Sequence, residues 1–179
     1  MKKILLAVAA MATIGLFAAF TLPGNQIQTT GPEVKETAES IKWYTWEEAI
    51  ELNKTEPRKL FIDLYTDWCG WCKRMDATTF TDPAVVQHIN DNYYPIKFDA
   101  EQKEEVIYNG HTFKYIASGR RGVHELAYSL LDGKLSYPSY VYMTKDVERL
   151  YVSKGYKPAD QLIKELNYFT EEKYLETDQ

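Results

Sequence analysis

A chain of 179 residues with 26 acidic and 21 basic side chains has a formal net charge of −5 and no basic stripe, which excludes the usual pattern of a nucleic-acid-binding protein. Hydrophobic residues make up 45% of the chain and aromatic residues 14%, which indicates a globular domain with its own core. The chain has only two cysteines, and a body of about 140 residues buries enough surface to need no disulfide framework.

The N-terminus has the pattern of an export signal. Lys2 and Lys3 precede an uncharged run from Ile4 to Leu22 that is rich in Ala, Leu, Ile and Phe. This run is also long enough to span a membrane, and small residues are missing where a cleavage site is expected. Residues 1–22 are therefore predicted to be a signal peptide or a retained membrane anchor. In both cases the lysines stay inside and the rest of the chain crosses the membrane.

A linker and a first helix are predicted next. Residues 23–40 are polar and contain several glycines, threonines and prolines, which indicates a flexible tether. We expect residues 41–179 to form one domain. Thr45 with Glu48 three residues later forms a capping box, which predicts a helix through about Asn53.

Two strands and two helices are expected in the middle of the chain. The apolar run 60–65 is bounded by Pro57 and the cysteines, and it predicts a central strand. A helix should follow the cysteines. Asp82-Pro83 is typical of an N-cap with proline at the first helical position, and it predicts a helix to about Asn90. Residues 94–99 predict a second strand.

A long insertion is expected between Asp99 and Pro138, because a crossover between parallel strands needs only ~10–12 residues. Asn109-Gly110 between two apolar runs predicts a β-hairpin. Residues 118–122 are expected to form a loop, and residues 123–131 an amphipathic helix. The insertion, at about 101–131, is where we expect partner specificity, since long loops on rigid scaffolds usually carry it.

The C-terminal part predicts a closing hairpin and a last helix. Residues 140–143 and 150–154 are expected to be its two strands. Lys157-Pro158 should open the helix, whose buried face contains Leu162, Ile163 and Leu166. Alternating strands and helices followed by a hairpin favour an α/β sandwich around a mixed sheet.

The two cysteines stand three positions apart, in Trp68-Cys69-Gly70-Trp71-Cys72. Thiols at this spacing can form a small disulfide ring, so that one sulfur attacks a partner and the other resolves the intermediate. A purely structural disulfide would gain little, since a four-residue ring contributes roughly 2 kcal/mol in the chain-entropy model. A closed zinc site would need a second Cys pair or a nearby Cys/His set, which the sequence lacks. The spacing therefore favours redox chemistry over both alternatives.

These residues resemble the thioredoxin superfamily. The resemblance rests on Asp63 six residues before Trp68-Cys69-Gly70-Trp71-Cys72-Lys73 and on Tyr137-Pro138 leading into a strand, and it covers most of residues 41–170. The Cys-Gly-Trp-Cys version, followed by Phe80-Thr81-Asp82-Pro83, is similar to exported thioredoxin-like proteins of bacteria. It implies a three-layer sandwich with a mixed four- or five-stranded sheet, flanking helices and an insertion before the cis-proline strand. It also implies a location in the periplasm or on the extracytoplasmic side of the inner membrane.

The resemblance implies a role for each residue of the motif. Cys69 at a helix N-terminus would be the nucleophile, and Cys72 the resolving thiol. Asp63 would be a buried carboxylate of raised pKa that accepts the proton of Cys72. Residues in contact with the substrate would be Trp68, Gly70, Trp71, Tyr137 and Pro138. The alternatives are partial packing for the tryptophans, a solvent-facing aspartate, and a trans proline on an edge strand in place of a cis-proline.

Other charged residues are expected to play ordinary roles. The lysine that pairs with this carboxylate in thioredoxin falls on Pro95 here. Lys97 lies on the same face of that strand as Pro95, and the sequence leaves open whether it replaces the missing lysine. Arg120-Arg121 in a Gly-flanked loop could contact an acidic partner, but a solvated turn is favoured. Three scattered histidines are not predicted to bind metal: His88, His111 and His124.

The predicted function is thiol-disulfide exchange with disulfides of exported proteins. Net reduction is favoured because Asp63 and Gly70 look like those of reductases, although Trp71 replaces thioredoxin's proline and leaves the redox potential open. No cofactor or metal beyond the redox-active Cys69–Cys72 disulfide and no nucleic acid is expected, and a membrane-bound thiol electron carrier would recharge the protein. The alternatives are a net disulfide oxidase or isomerase, a redox-silent thioredoxin-fold module that binds proteins, and a thiol metal carrier.

Overall fold

The computed structural model describes residues 40–176, and residues 1–39 and 177–179 lie outside the described part. The predicted signal peptide or anchor at 1–22 and all but the last residue of the linker at 23–40 therefore fall outside it. Within the described residues, no helix has the length and apolar character needed to cross a membrane.

Helices and strands follow each other through the described residues, together with two short 3-10 turns at Thr79–Thr81 and Lys173–Leu175. In chain order they are α1 (Trp46–Thr55), β1 (Lys59–Tyr65), α2 (Gly70–Ala77), α3 (Pro83–Asn92), β2 (Tyr93–Asp99), β3 (Val106–Tyr108), β4 (His111–Phe113), β5 (Tyr115–Ser118), β6 (Arg121–His124), α4 (Glu125–Leu130), β7 (Ser139–Met143), β8 (Arg149–Lys154) and α5 (Ala159–Thr170).

A mixed sheet of four strands lies at the centre of the domain, in the order β2-β1-β7-β8. Strand β1 pairs parallel with β2 and antiparallel with β7, and β7 pairs antiparallel with β8. The parallel pair needs a crossover, which α2 and α3 supply. The closing antiparallel pair is the predicted C-terminal hairpin.

Alternate residues of β1 face two separate layers of helices. Leu60, Ile62 and Leu64 pack in one cluster with α1 and α4, whereas Phe61 packs in a second cluster with α2, α3 and α5. Burial on both faces explains why the strand reads as a continuous apolar run. The predicted three-layer α/β sandwich of thioredoxin type is confirmed.

Side-chain caps fix where the first and third helices begin. The Thr45 hydroxyl accepts the Glu48 amide at 3.2 Å, and the Glu48 carboxylate accepts the Thr45 amide at 2.9 Å, which completes the capping box. The Asp82 carboxylate accepts the amides of Ala84 and Val85 at the start of α3. Both predicted helix starts are confirmed, and each helix continues two residues further than expected.

The insertion contains two hairpins, which corrects the predicted loop and helix. Strands β3 and β4 turn at Asn109-Gly110, where both residues have positive φ, as the sequence predicts. The loop predicted over residues 118–122 is confined to Gly119-Arg120, because its other residues belong to β5 and β6. Val123 and His124 pair with β5, so α4 begins at Glu125 and not at 123.

Helix α5 packs against the second cluster through Leu162, Leu166 and Phe169, which are buried, while Ile163 is only partly buried. The Phe169 ring stacks on Tyr142 of β7 at 4.2 Å between centroids. Stacked rings of this kind fix the helix against the antiparallel half of the sheet.

Candidate active site

Cys69 and Cys72 form a disulfide at the N-terminus of α2, with 2.09 Å between the two Sγ atoms. Cys69 is the N-cap residue, and its Sγ accepts the backbone N–H of Cys72 at 3.1 Å. Helix N-terminal amides and the positive end of the helix dipole stabilise a thiolate at such a position. This sulfur is therefore set up to carry negative charge once the disulfide opens.

Little of either cysteine is exposed to solvent. Cys69 is 6% exposed and Cys72 only 2%, so Cys69 is the more accessible of the two. Gly70 is exposed, and a Cβ added there would meet no atom within 4 Å. Packing therefore does not require glycine at this position, and its absence of a side chain leaves the approach to Cys69 open.

Trp68 and Trp71 flank the disulfide with their rings largely in solvent, 51% and 59% exposed. Trp68 packs edge-on against Tyr137 at 6.0 Å between ring centroids. Trp71 packs against Tyr156 at 5.4 Å between ring centroids. The sequence motif gives no sign of Tyr156, because it follows β8, more than 80 residues from the cysteines.

The Tyr137–Pro138 peptide bond is cis, and Pro138 is buried where β7 begins. Strand β7 pairs with β1 from Ser139 opposite Leu64, and β1 leads directly into the cysteine segment. Burial, followed by the charges of Glu101 and Asp99, raises the pKa of Tyr137 to about 12. The strand pairing and the Trp68 contact thus bring Tyr137 to the same surface as the cysteine segment.

Asp63 lies on β1, fully buried, on the side of the sheet covered by α2. Its Oδ2 accepts a hydrogen bond from Lys97 Nζ at 2.6 Å, and its Oδ1 has no hydrogen-bond partner among the described residues. Burial raises the pKa of Asp63 to about 6; Lys97 opposes the rise, and Asp76 adds to it. The solvent-facing alternative for this aspartate is wrong.

Lys97 pairs with Asp63 because β1 and β2 are in parallel register with these residues opposite each other, whereas Pro95 stands opposite Phe61. Its Nζ also donates to Asp76 Oδ1 on α2. Burial lowers the pKa of Lys97, but the two carboxylates outweigh this and the net shift is upward. The ammonium lies 4.9–5.3 Å from three ring centroids: Trp43, Tyr65 and Phe80.

Sequence reasoning missed Asp76 as part of this site. The available signal was its spacing, since Asp76 follows Cys72 by four residues and so shares its helix face. The carboxylate side chain is 45% exposed, so the chain Asp63–Lys97–Asp76 runs from a buried strand to the surface.

Arg121 also differs from its predicted place in a solvated turn. Arg121 is the first residue of β6. Its guanidinium lies over the ring of Trp68, with 4.4 Å from Cζ to the ring centroid. The insertion therefore contacts the residue that precedes Cys69.

Two of the three histidines have structural hydrogen-bond partners. His124 caps α4 through Nδ1, which accepts the Leu126 amide at 3.2 Å, and its Nε2 donates to the Glu104 carbonyl at 3.1 Å. His88 Nε2 lies 2.9 Å from the Thr170 hydroxyl. Between residues 40 and 176 no cluster of three or more His, Cys, Asp or Glu side chains is arranged to hold a metal ion.

The chain matches the family Thioredox_DsbH, described as a protein of unknown function (DUF255), over residues 27–171. An uncharacterized protein of Caenorhabditis elegans is 26% identical over 121 residues, which covers 67% of this chain and 15% of that protein. The thiol:disulfide interchange protein DsbD of Vibrio vulnificus (strain CMCP6) is 34% identical over 88 residues, 46% of this chain and 15% of DsbD. The chain therefore spans only about 15% of the length of each of these relatives.

A solved structure of a DsbH oxidoreductase matches with a TM-score of 0.53 and 17% sequence identity. The match covers 80% of this chain and 92% of that chain. A likeness at this level of identity shows a common fold.

Proposed function

We propose that this chain, which belongs to the family Thioredox_DsbH, is a thiol-disulfide oxidoreductase that reduces disulfides of exported proteins. The observation that carries the proposal is the Cys69–Cys72 disulfide at the N-terminus of α2. A pair at a helix start has one sulfur favoured as thiolate and a second sulfur close enough to displace it.

The reduced protein acts in two exchange steps. The Cys69 thiolate attacks one sulfur of the substrate disulfide, which breaks the substrate S–S bond and forms a mixed disulfide. The Cys72 thiolate then attacks Cys69 Sγ, restores the Cys69–Cys72 bond and releases the substrate's second sulfur. Two electrons and two protons pass to the substrate, which leaves as a dithiol.

Asp63 accepts the proton of Cys72 before the second step. A general base works best when its pKa is near the working pH, and burial has brought the pKa of this carboxyl to about 6. The Oδ1 atom, which lacks a partner among residues 40–176, is free to receive the proton. Lys97 keeps the carboxylate charged above that pH, because its ammonium bonds the other oxygen.

The substrate lies across the exposed surface of Trp68, Gly70, Trp71, Tyr137 and Pro138. The two indoles offer apolar area on both sides of the disulfide. Tyr137 presents its backbone to an extended segment of the substrate, as in a short strand addition.

The oxidised protein is recharged by a thiol electron carrier on the extracytoplasmic side of the membrane, with residues 1–22 as export signal or anchor. The similarity to DsbD, a thiol:disulfide interchange protein, supports a partner of this chemical type. In such an oxidising compartment a reductase needs a dedicated supply of electrons.

The direction of electron flow is tested by equilibrium with glutathione buffers, with the disulfide fraction read from alkylated masses. A reduction potential of about −270 mV is expected for a reductant, and a potential of about −120 mV would make the protein an oxidase. Turbidity of insulin with dithiothreitol is the second measurement. Insulin reduction no faster than in buffer would support the redox-silent binding module instead.

A further inference from the structure

Two similar side-chain groups flank the disulfide. On one side Trp68 packs against Tyr137 and carries Arg121 over its ring. On the other side Trp71 packs against Tyr156, whose ring lies 5.7 Å from the Arg74 guanidinium. Each tryptophan next to the cysteines in sequence thus packs on a tyrosine, and each pair carries an arginine guanidinium.

Arg121 has donors to spare. One face of its guanidinium lies on the Trp68 ring at 4.4 Å from the centroid, and within residues 40–176 its side chain has no carboxylate partner and no hydrogen bond. Stacking on a ring leaves the N–H groups at the edge of the guanidinium directed away from the ring. Those edge donors match the two oxygens of a carboxylate.

Two other arginines of the described part, Arg58 and Arg149, each have a carboxylate partner, which Arg121 lacks. Arg58 pairs with Glu56, and Arg149 pairs with Asp132 at 2.8 Å. Arg121 is exposed and remains available to a partner from outside the chain. The chain has a net charge of −5, so Arg121 places a positive charge beside the redox site of an acidic protein.

We propose that the β5–β6 hairpin forms part of the substrate-binding surface, and that Arg121 selects protein segments with a carboxylate beside the reacting disulfide. The proposal rests on the proposed function, since it names the kind of substrate that the Cys69–Cys72 pair reduces. The occupant is an extended acidic segment of an exported protein. Its apolar side chains lie on Trp68, and an Asp or Glu accepts from Arg121.

The acidic residues near this surface decide where that carboxylate lies. Asp99 and Glu101 are close enough to Tyr137 to raise its pKa, and Asp67 acts on the pKa of Asp99 in the same way. These acidic side chains repel a substrate carboxylate, whereas Arg121 attracts it.

The test uses the full chain and three synthetic disulfide peptides of one sequence, in which the residues next to the cysteine are Glu, Gln or Lys. Reduction is followed by loss of fluorescence quenching across the peptide disulfide, with dithiothreitol as the reductant. Three variants are compared with the wild type. Arg121→Gln removes the charge, Arg121→Lys keeps it without the planar donors, and Lys164→Gln is a matched charge change on the outer side of α5, where the side chain is 78% exposed.

For the wild type and Lys164→Gln, kcat/KM should be about three- to tenfold higher for the Glu peptide than for the Gln peptide, mostly through KM, and lowest for the Lys peptide. Arg121→Gln should bring the Glu-to-Gln ratio to about one, and Arg121→Lys should give an intermediate ratio. Added salt should reduce the wild-type ratio, because exposed charges are screened.

Equal kcat/KM for the three peptides with the wild type would overturn the role of Arg121 while leaving the reductase in place. A Glu preference that survives Arg121→Gln would also overturn it. If the wild type reduces none of the three peptides above the dithiothreitol background, the proposed function itself fails and the inference with it.

Discussion

Asp63 of β1 and Lys97 of β2 stand opposite each other in a parallel register and share a 2.6 Å hydrogen bond, with the carboxylate fully buried. Each charge needs the other, because an unpaired buried charge destabilises the folded state. Removing one member of a buried pair typically costs about 3–5 kcal/mol. Even with its partner, the Asp63 carboxyl has its pKa raised to about 6. The Asp63 carboxyl therefore titrates in the pH range where disulfide exchange is measured.

Asp63→Asn should slow insulin reduction at pH 7.5 by about 100-fold, the lower end for a positioned general base. In the wild type the rate should fall as the pH drops through about 6, since protonated Asp63 no longer accepts the Cys72 proton. The variant should lack this fall. A wild-type and a variant profile of the same shape between pH 5 and 8 would contradict the base role.

The same pKa shift affects stability with a sign that follows from linkage. The folded pKa of Asp63, about 6, lies above the ordinary pKa of 3.8 for an aspartate, so the folded state binds more protons between these pH values. The Asp63 contribution to the free energy of unfolding thus falls as the pH rises from 4 to 6. Relative to the wild type, oxidised Asp63→Asn should gain about 1–3 kcal/mol between pH 4 and 7.

Urea denaturation of both oxidised proteins at several pH values measures this difference. The difference between the two proteins is needed because other carboxyl groups titrate in the same range. A constant difference from pH 4 to 7 would show that Asp63 titrates normally in the folded protein.

The strand register that places Asp63 opposite Lys97 cannot be predicted from the sequence. The caps at Thr45 and Asp82 and the apolar run of β1 are local signals, and they place α1, α3 and the central strand correctly. Which β2 residue faces Asp63 depends on pairing across a crossover, where a shift of one residue reverses the faces. The motif therefore indicates the carboxylate, while its partner Lys97 is evident only in three dimensions.

The second hairpin of the insertion escapes sequence-based prediction for a similar reason. Gly119 and Gly122 around two arginines are typical of a loop, and only the pairing of residues 115–118 with residues 121–124 turns this segment into strands. That pairing brings Arg121 over Trp68. The contact between Arg121 and Trp68 depends on strand pairing, so the local pattern of glycines and charges does not predict it.

Lys97→Met and Asp76→Asn should move the acidic limb of the pH profile in opposite directions. Lys97 lowers the pKa of Asp63, so its loss should move the limb above pH 6. Asp76 raises that pKa, so its removal should move the limb below pH 6. Insulin reduction rates from pH 5 to 8 provide the measurement, and shifts of equal sign would argue against direct electrostatic control of Asp63.

Cys72→Ser should accumulate a mixed disulfide on Cys69, because the sulfur that resolves it is gone. Incubation of the reduced variant with a disulfide peptide should give nearly one peptide per chain, seen as a mass increase under non-reducing conditions. Cys69→Ser is the matched control and should trap far less, since Cys72 is 2% exposed even in the oxidised protein. More adduct on Cys72 than on Cys69 would reverse the assigned roles.

His124 should make the insertion sensitive to pH. Its Nδ1 accepts the Leu126 amide and its Nε2 donates to the Glu104 carbonyl, a pattern that requires the neutral ring. Burial lowers the pKa of His124, against the opposing effect of Glu104, Glu125 and Glu47. The unfolded chain therefore binds the proton more readily, and the stability due to the neutral ring is lost as the pH falls below about 6.5.

Hydrogen exchange of the Leu126 amide measures this directly, once the rates are corrected for the intrinsic pH dependence of exchange. Protection at Leu126 should fall several-fold between pH 7 and 5, while protection at Ile62 in the central strand stays constant. His124→Asn should lower protection at both pH values and remove the dependence, because an amide can cap α4 without titrating. An equal loss of protection at Leu126 and Ile62 would point to global unfolding. A loss at Leu126 alone would indicate a local opening near the end of β6, which runs from Arg121 to His124.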